Sequence, residues 1–271
     1  MVPAVADRLP SYPMALAVVS VGFLIAERLR PARPGQGLAR KGFLGDLAFL
    51  VFNGHFLGVG LYWLAVNYVL PPFERLLVRV HLGDVTHLGV AKTWPLWLQI
   101  VVVVVVMDLV QWLVHRALHR VPWLWRFHQV HHSVVDGQMD FLASFRFHWF
   151  EAVAYKTAQF LPLAFFGFST EALFAQAVVG TIAGHFNHSN LDVGRGPLRY
   201  VLNTPRMHLW HHTYTLPTGH VRNFGIVFST WDWVFGTAYV PEQPPARLGF
   251  PGDECLPRGF VGKELWPVWP R

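Results

Sequence analysis

The sequence predicts an all-α fold: an integral membrane helical bundle of about four to five membrane helices, with a histidine-rich cap on one face. Three observations carry that prediction. Hydrophobic residues make up 53% of the 271 residues and charged residues only 14%, against roughly 25% charged in an ordinary soluble domain. The apolar residues gather into stretches that approach the ~20 residues a helix needs to cross a bilayer. Ten of the fifteen histidines recur at three- and four-residue spacings between positions 115 and 212, and such spacings share one helix face.

The first apolar stretch, 12–26, is short for a span and draws on its flanks. Asp7 before it, and Glu27-Arg28 in place of a small-residue cleavage site, argue against a signal peptide. The second, 47–70, contains Asn53 and His55. The third, 94–114, holds six consecutive valines at 101–106, which in a soluble protein would read as a buried strand. Its length and its aromatic flanks (Trp94, Trp97, Trp112) favour a spanning helix. The fourth and fifth, 150–168 and 172–183, are separated by a tight break at 167–170 and read as a helical hairpin. The fifth is too short for a full span and reads as re-entrant or buried among its neighbours. The tail after Val240, rich in Pro and Gly, reads as loop with little regular structure. The chain thus divides into an N-terminal membrane region (1–93), a histidine-bearing domain (94–240) and a tail (241–271).

The net charge is +6. The basic residues form no dense tract with interleaved aromatics, which disfavours nucleic acid as a partner. They read instead as topology markers. Arg28, Arg30, Arg33, Arg40 and Lys41 follow the first stretch and place that loop in the cytoplasm. The third stretch then ends on the same side, beside Arg116, Arg120 and Arg126, and the hairpin goes out and returns. Arg75, Arg79 and Lys92 in the intervening loop run against this placement. All the histidine motifs fall on the cytoplasmic face. The single cysteine, Cys255, excludes intramolecular disulfides and cysteine-rich metal sites.

The motifs are His115-Arg-Ala-Leu-His119, His128-Gln-Val-His131-His132, His185-Phe-Asn-His188 and His208-Leu-Trp-His211-His212. On a helix, residues three and four apart lie about 5–6 Å from each other at Cβ. His115 and His119 therefore aim at one ion, and each HxxHH presents a convergent trio. Ten imidazoles exceed the needs of one ion and fit two. Burying so many as ordinary core residues would leave costly unpaired nitrogens. Imidazole suits Zn, Fe, Cu and Ni, so the ligand type alone does not choose the metal. Asp108, two turns before His115, is placed to orient a histidine ring by accepting its free N–H; a partner for a nearby arginine is the alternative. His148 and Glu151, three apart, read either as outer partners of a ligand or as a structural cap. His55, His81, His87 and His220 match no motif and read as loop or interfacial residues.

From Asp108 to Thr237 the chain resembles the fatty acid hydroxylase superfamily, also called the sterol desaturase family, of integral-membrane non-heme di-iron proteins. The resemblance rests on the four histidine motifs in order, with Asp108-Leu-Val-Gln-Trp112, Leu124-Trp125-Arg126-Phe127, Asn203-Thr204-Pro205-Arg206, Asn223-Phe-Gly225 and Trp231-Asp232 around them. Trp112, Trp149 and Val221 stand where Tyr, Pro and Asp are common in the family. The resemblance implies that 94–240 is a catalytic domain. It implies two Fe ions on His115, His119, His128, His131, His132, His185, His188, His208, His211 and His212, with Asp108 and Asn187 as candidate supporting residues. It also implies O2 as co-substrate and a lipid substrate hydroxylated or desaturated at a C–H bond. No GxGxxG opens a helix after a strand, so the electrons are expected from a separate reductase or redox carrier. A zinc-dependent membrane hydrolase and a metal transport or storage protein are the competing readings.

Overall fold

The computed structural model describes residues 11–81, 89–216 and 218–268; His87 lies outside them. Among the described residues, no strand forms, and only isolated bridges such as Leu202 to Phe228 join extended backbone. Helix α1 (Tyr12–Leu29) starts after Ser11 with proline in its first turn, where the missing N–H costs nothing. Helix α2 (Phe43–Val51) begins earlier than the apolar run suggested. It continues through a π turn at Phe52–Phe56 into α3 (Leu57–Leu64), and through a second π turn at Ala65–Val69 into α4 (Leu70–Arg79). The first π turn turns Asn53 inward, and its side-chain amide donates to the carbonyls of Phe145 and Phe147 at 2.8 Å each. Helix α5 (Leu96–Arg120) carries the six valines as helix.

Among the described residues, three helical stretches are long and apolar enough to cross a membrane: Tyr12–Leu29, Phe43–Leu61 and Leu96–Arg120. Their apolar side chains are mostly turned outward; only 11% of the α1 window is buried within the protein. Val18, Val21 and Ile25 on α1, and Val101, Val105 and Val106 on α5, are exposed. Water would penalise such a surface, and lipid does not. The chain is a membrane protein. Helices α7 (Trp149–Phe166) and α8 (Thr170–His188) make the expected hairpin. Gly167 turns it in the left-handed region (φ 69°), and Ser169 caps α8 by accepting from the Ala172 N–H.

The helices are ordered so that one end of the bundle collects every histidine motif. Tyr12 meets Thr181, Ser20 meets His185 and Glu27 meets the Asn190 backbone, so α1 runs in the same direction as α8. The Gln99 side chain accepts from the Ser169 N–H and Val103 packs with Ala172, so α5 runs that way too. These three helices finish where α2 and α7 begin. Helix α6 (Pro122–His132), helix α9 (Pro205–His211) and the loops 133–148 and 222–240 close over that end. Helix α10 (Thr230–Val234) lies within the second loop.

The tail differs from its expected loop character. It contains a short helix, α11 (Phe260–Leu265), that docks on the core. Phe260 sets its ring edge-on against Phe49 and Phe52. The Lys263 ammonium donates to Ser133 at 2.8 Å, and the Glu264 carboxylate accepts from the Trp149 N–H at 2.9 Å. A Pro/Gly-rich composition described its turns and hid this anchor.

A buried ion network pins the cap to the membrane helices. Arg40 reaches Asp140 and Asp46, and Asp46 also accepts two 3.0 Å bonds from Arg146. Arg33 donates to Asn190 and to the carbonyls of Gly137 and Met139. Two of the arginines that mark topology are therefore spent inside the protein. Removing one partner of a buried pair strands the other charge, which costs on the order of 3 kcal/mol. Asp46→Asn should accordingly lower stability by about that amount, read as an earlier thermal unfolding in detergent. Lys41→Ala, which breaks only the exposed pair with Asp136, should shift nothing measurable. Equal shifts in the two variants would contradict the network's role.

Candidate metal centre

Helix periodicity explains how the ligands are dealt out. His115 and His119 stand on one face of α5. On α6, His128 and His132 are four apart and share a face, while His131 is turned about 100° from His132. On α9 and its C-terminal cap, His208 and His212 share a face and His211 is turned away. The result is two adjacent groups. His115, His119, His128, His132 and His211 bring one nitrogen each within 4.8 Å of one another, and His131, His188, His208 and His212 do the same. The convergent trio expected of each HxxHH is thus split: two histidines serve one group and the third serves the other.

Five of the rings have their tautomer fixed from behind. The Nδ1–H of His115 donates to the Phe224 carbonyl at 2.9 Å and that of His211 to Arg222 at 2.9 Å. His131 donates to the Arg146 carbonyl at 3.1 Å and His188 to Gly184 at 2.8 Å. His128 donates to the Glu151 carboxylate at 2.6 Å. A carbonyl only accepts, so the proton sits on Nδ1 and Nε2 is left as a bare lone pair. Burial pushes His131, His132, His208 and His212 well below the usual imidazole value, with neighbouring histidines adding to it. Burial likewise brings His211 down to about 3. These five rings, His131, His132, His208, His211 and His212, are therefore neutral at physiological pH.

This arrangement cannot satisfy itself. Nε2 of His131 and Nε2 of His188, both bare, face each other at 3.2 Å. Nε2 of His208 lies 2.9 Å from that of His188 and 3.0 Å from that of His212. In the first group, His119 and His211 approach at 3.2 Å, while Nε2 of His115, His128 and His132 are buried with no hydrogen-bond partner. Metal–nitrogen bonds of about 2.0–2.1 Å put neighbouring nitrogens about 2.9–3.4 Å apart. The donor set therefore fits one cation in each group.

His185 is the expected ligand that the structure leaves out of both groups. It lies on the side of α8 that meets α1, with Nε2 3.0 Å from the Ser20 hydroxyl and Nδ1 2.8 Å from the Ser144 hydroxyl. Phe23, Phe141 and Phe145 surround its ring. Both nitrogens are used, and the HxxH spacing alone gave no sign of it. Asp108 does not meet a histidine either. Its carboxylate accepts from the Val227 and Phe228 N–H groups and from the Trp231 indole, at 2.7–2.9 Å. It thereby anchors the loop whose Ile226 carbonyl accepts from the Asn187 amide at 2.7 Å.

Glu151 fulfils both readings of the His148–Glu151 pair. One oxygen holds His128, and the other accepts from the His148 N–H in a capping box that starts α7. Burial lowers the His148 imidazole to about 4, and its Nδ1 accepts from the Phe150 N–H. Asp232 was not singled out by spacing, yet it organises the loop behind His115. It accepts from the Trp112 indole and from the Phe224 and Gly225 N–H groups, at 2.8–3.0 Å. A Cβ at Gly225 would lie 2.6 Å from the Phe228 carbonyl oxygen, so only glycine allows the loop this close. An acidic residue inside an aromatic run, as in Trp231-Asp232-Trp-Val-Phe235, was the available signal.

Two outcomes follow for metal content measured on purified protein. His128→Ala should reduce binding to the first group and spare the second, whereas His185→Ala should keep both metals. Glu151→Gln keeps the shape but weakens the hold on His128, and should lower first-group metal affinity about 10–100-fold. Unchanged affinity in that variant would remove Glu151 from the account.

The fatty acid hydroxylase family model matches residues 100–237, which contain both histidine groups, Glu151 and Asp232. Ornithine lipid hydroxylase OlsE of Rhizobium tropici is 31% identical over 64% of this chain and 51% of its own length. Alkylglycerol monooxygenase of Danio rerio is 31% identical over 65% of this chain and 36% of its own. The human alkylglycerol monooxygenase is 29% identical over 57% and 34%. The chain spans about half or less of the length of these relatives. No solved structure matches. The family match covers half the chain and every segment that supplies the paired histidine groups, and the chain belongs to the fatty acid hydroxylase family.

Proposed function

We propose that the protein is a membrane-bound, O2-dependent hydroxylase of a lipid C–H bond, with its two histidine groups holding two Fe ions. The observation that carries this reading is a cavity of about 770 Å³ that begins at His115, His128, His131, His188 and His208. It runs between the membrane helices to Leu57, Leu61, Leu70 and Leu173. A candidate metal centre opening onto a cavity lined by both leucines and polar side chains suits an amphipathic substrate that comes from the bilayer. The names of the relatives, which act on ornithine lipids and alkylglycerols, support hydroxylation over desaturation.

An unactivated C–H bond offers no group for acid–base chemistry, and bound iron supplies the redox chemistry it demands. In the overall reaction the C–H bond breaks and a C–O bond forms with one atom of O2. The other atom leaves as water, formed with two protons and two electrons, the electrons being delivered singly by two equivalents of a reduced one-electron carrier. The chain's own residues hold and orient. The carbonyls of Phe224, Arg222, Arg146 and Gly184 keep four rings in the Nδ1–H tautomer. Glu151 does the same for His128 with a carboxylate, which raises that ring's basicity as a ligand. The cavity walls keep water from the site and hold the lipid.

A separate carrier is expected to bring the electrons to the histidine end of the bundle, which we place on the cytoplasmic side. There, Arg199 and Arg206, with the ion-paired Arg195 and Arg247, line a surface cavity of about 710 Å³ in which basic residues outnumber Asp192 and Glu242. Its Ser189 and Leu209 adjoin His188 and His208 in sequence. That surface complements an acidic carrier.

The test is metal exchange followed by turnover. Chelation should abolish the transfer of isotopically labelled oxygen from O2 into lipid. Adding back Fe(II) with a reduced carrier should restore it, and Zn(II) should not. Activity without O2, or with zinc alone, would favour a hydrolase and overturn the reading.

A further inference from the structure

Two short helices at the histidine end are built inside out. In α10 and the residue after it, Asp232 is fully buried while Trp233, Val234 and Phe235 are exposed. In α11, Lys263 and Glu264 are buried while Val261 and Leu265 are exposed, and Val268 follows them outward. A helix facing water turns the other way, with its charges out and its apolar side in. The exposed side chains do not stand singly. Tyr200 and Val201 are exposed as well. The Tyr200 ring packs on Trp233 at 4.8 Å, and the Ser229 N–H donates to the Val201 carbonyl at 3.1 Å.

Each patch joins the outward apolar surface of a spanning helix, and both join at the same depth. Phe235 stacks on Trp112 of α5 at 4.7 Å, beside the exposed Leu113. Trp112 lies eight residues before Arg120, the histidine end of α5, which is about 12 Å at 1.5 Å rise per residue. Phe260 of α11 packs edge-on against Phe49 and Phe52, beside the exposed Leu47 and Val51. Those two rings lie six and nine residues beyond Phe43, where α2 starts at the same end, or about 9–14 Å. The first patch is rimmed by charge. The Arg116 guanidinium lies 5.2 Å over the Trp112 ring, and Arg199 donates to the Tyr200 hydroxyl at 3.2 Å. Trp, Tyr and a snorkelling Arg suit the layer between head groups and hydrocarbon.

We infer that the histidine end of the bundle is sunk into the bilayer. Residues 200–201, 233–235 and 261–268 are membrane-binding segments that lie in the interfacial layer of the nearer leaflet, about 5–10 Å into the boundary between head groups and acyl chains. A bilayer is a plane, and it imposes one depth on patches carried by different helices. A protein partner would ask for one patch at any depth. The lipid surface therefore explains both patches together. The histidine groups then begin level with this layer, because His115 follows Trp112 by three residues on α5, about 4.5 Å along the axis. The inference holds whichever metal the groups bind and whatever reaction they serve.

The experiment uses the full chain in phosphatidylcholine vesicles. Cys255→Ser removes the single native thiol, and one cysteine is then introduced by Val234→Cys, by Val261→Cys or, as a control on the surface cavity, by Glu242→Cys. Val234 is 67% exposed and Val261 65%, so neither replacement disturbs packing. Each thiol carries a fluorophore sensitive to polarity. The labels at 234 and 261 should emit at shorter wavelength than the label at 242. They should be quenched by lipid bearing a nitroxide high on its acyl chain, and resist iodide present on both sides of the membrane. The label at 242 should respond to iodide and not to the nitroxide. Leu265→Cys repeats the reading of the second patch at an independent position. Iodide quenching at 234 and 261 equal to that at 242 would overturn the inference. Shielding from both quenchers would overturn it too, because a protein and not lipid would then cover the patches. Embedding of one patch without the other would remove the common plane.

Discussion

Neutral imidazoles whose inner nitrogens carry no proton repel one another when packed together. Here Nε2 of His131 and of His188 meet at 3.2 Å while both rings spend their proton on a backbone carbonyl behind them. No rearrangement of protons within the pair relieves this without breaking a buried hydrogen bond. A cation between the lone pairs does. The constraint spreads outward, because the carbonyls that fix the tautomers come from separate segments: Arg146 from the loop before α7, Gly184 from α8, Arg222 and Phe224 from the loop after α9. Metal binding at these groups would therefore be coupled to the closure of the cap.

The supports behind those carbonyls explain much of the remaining sequence. Asp232 holds the backbone at Phe224 and Gly225, and Asp108 holds it at Val227 and Phe228. Arg146, whose carbonyl orients His131, is itself fixed by Asp46 on α2. A membrane helix is in this way wired to a ligand it never touches. The same helix line turns Asn53 inward at a π turn, where its amide holds the carbonyls of Phe145 and Phe147 beside the lipid cavity. π turns inside α-helices frequently mark functional positions.

Much of this was legible from residue order. The i, i+4 pair His115 and His119, the valine run and the break at Gly167 each have one reading once the apolar context is fixed, and the helices form where that reading puts them. The partition of ligands was not legible. Spacing says that His128, His131 and His132 lie near one another, but adjacent residues on a helix diverge by about 100°. Which of them shares an ion depends on where α9 lies. His185 and Asp108 show the same limit. Each sits at a plausible offset from a ligand, and each is claimed by a neighbour from a distant part of the chain, Ser20 and Ser144 in one case and the 227–231 loop in the other. The tail's anchor was hidden because one short helix with Phe260, Lys263 and Glu264 leaves almost no periodic trace.

The two HxxHH motifs exchange their odd histidine and so build two adjacent all-nitrogen groups, each proposed to hold one metal ion. Crystals of the protein measured on both sides of the iron absorption edge test it most directly. Two anomalous peaks per chain are expected, one ringed by His115, His119, His128, His132 and His211 and the other by His131, His188, His208 and His212. A single peak, a peak bound by His185, or scattering from zinc alone in active protein would contradict it.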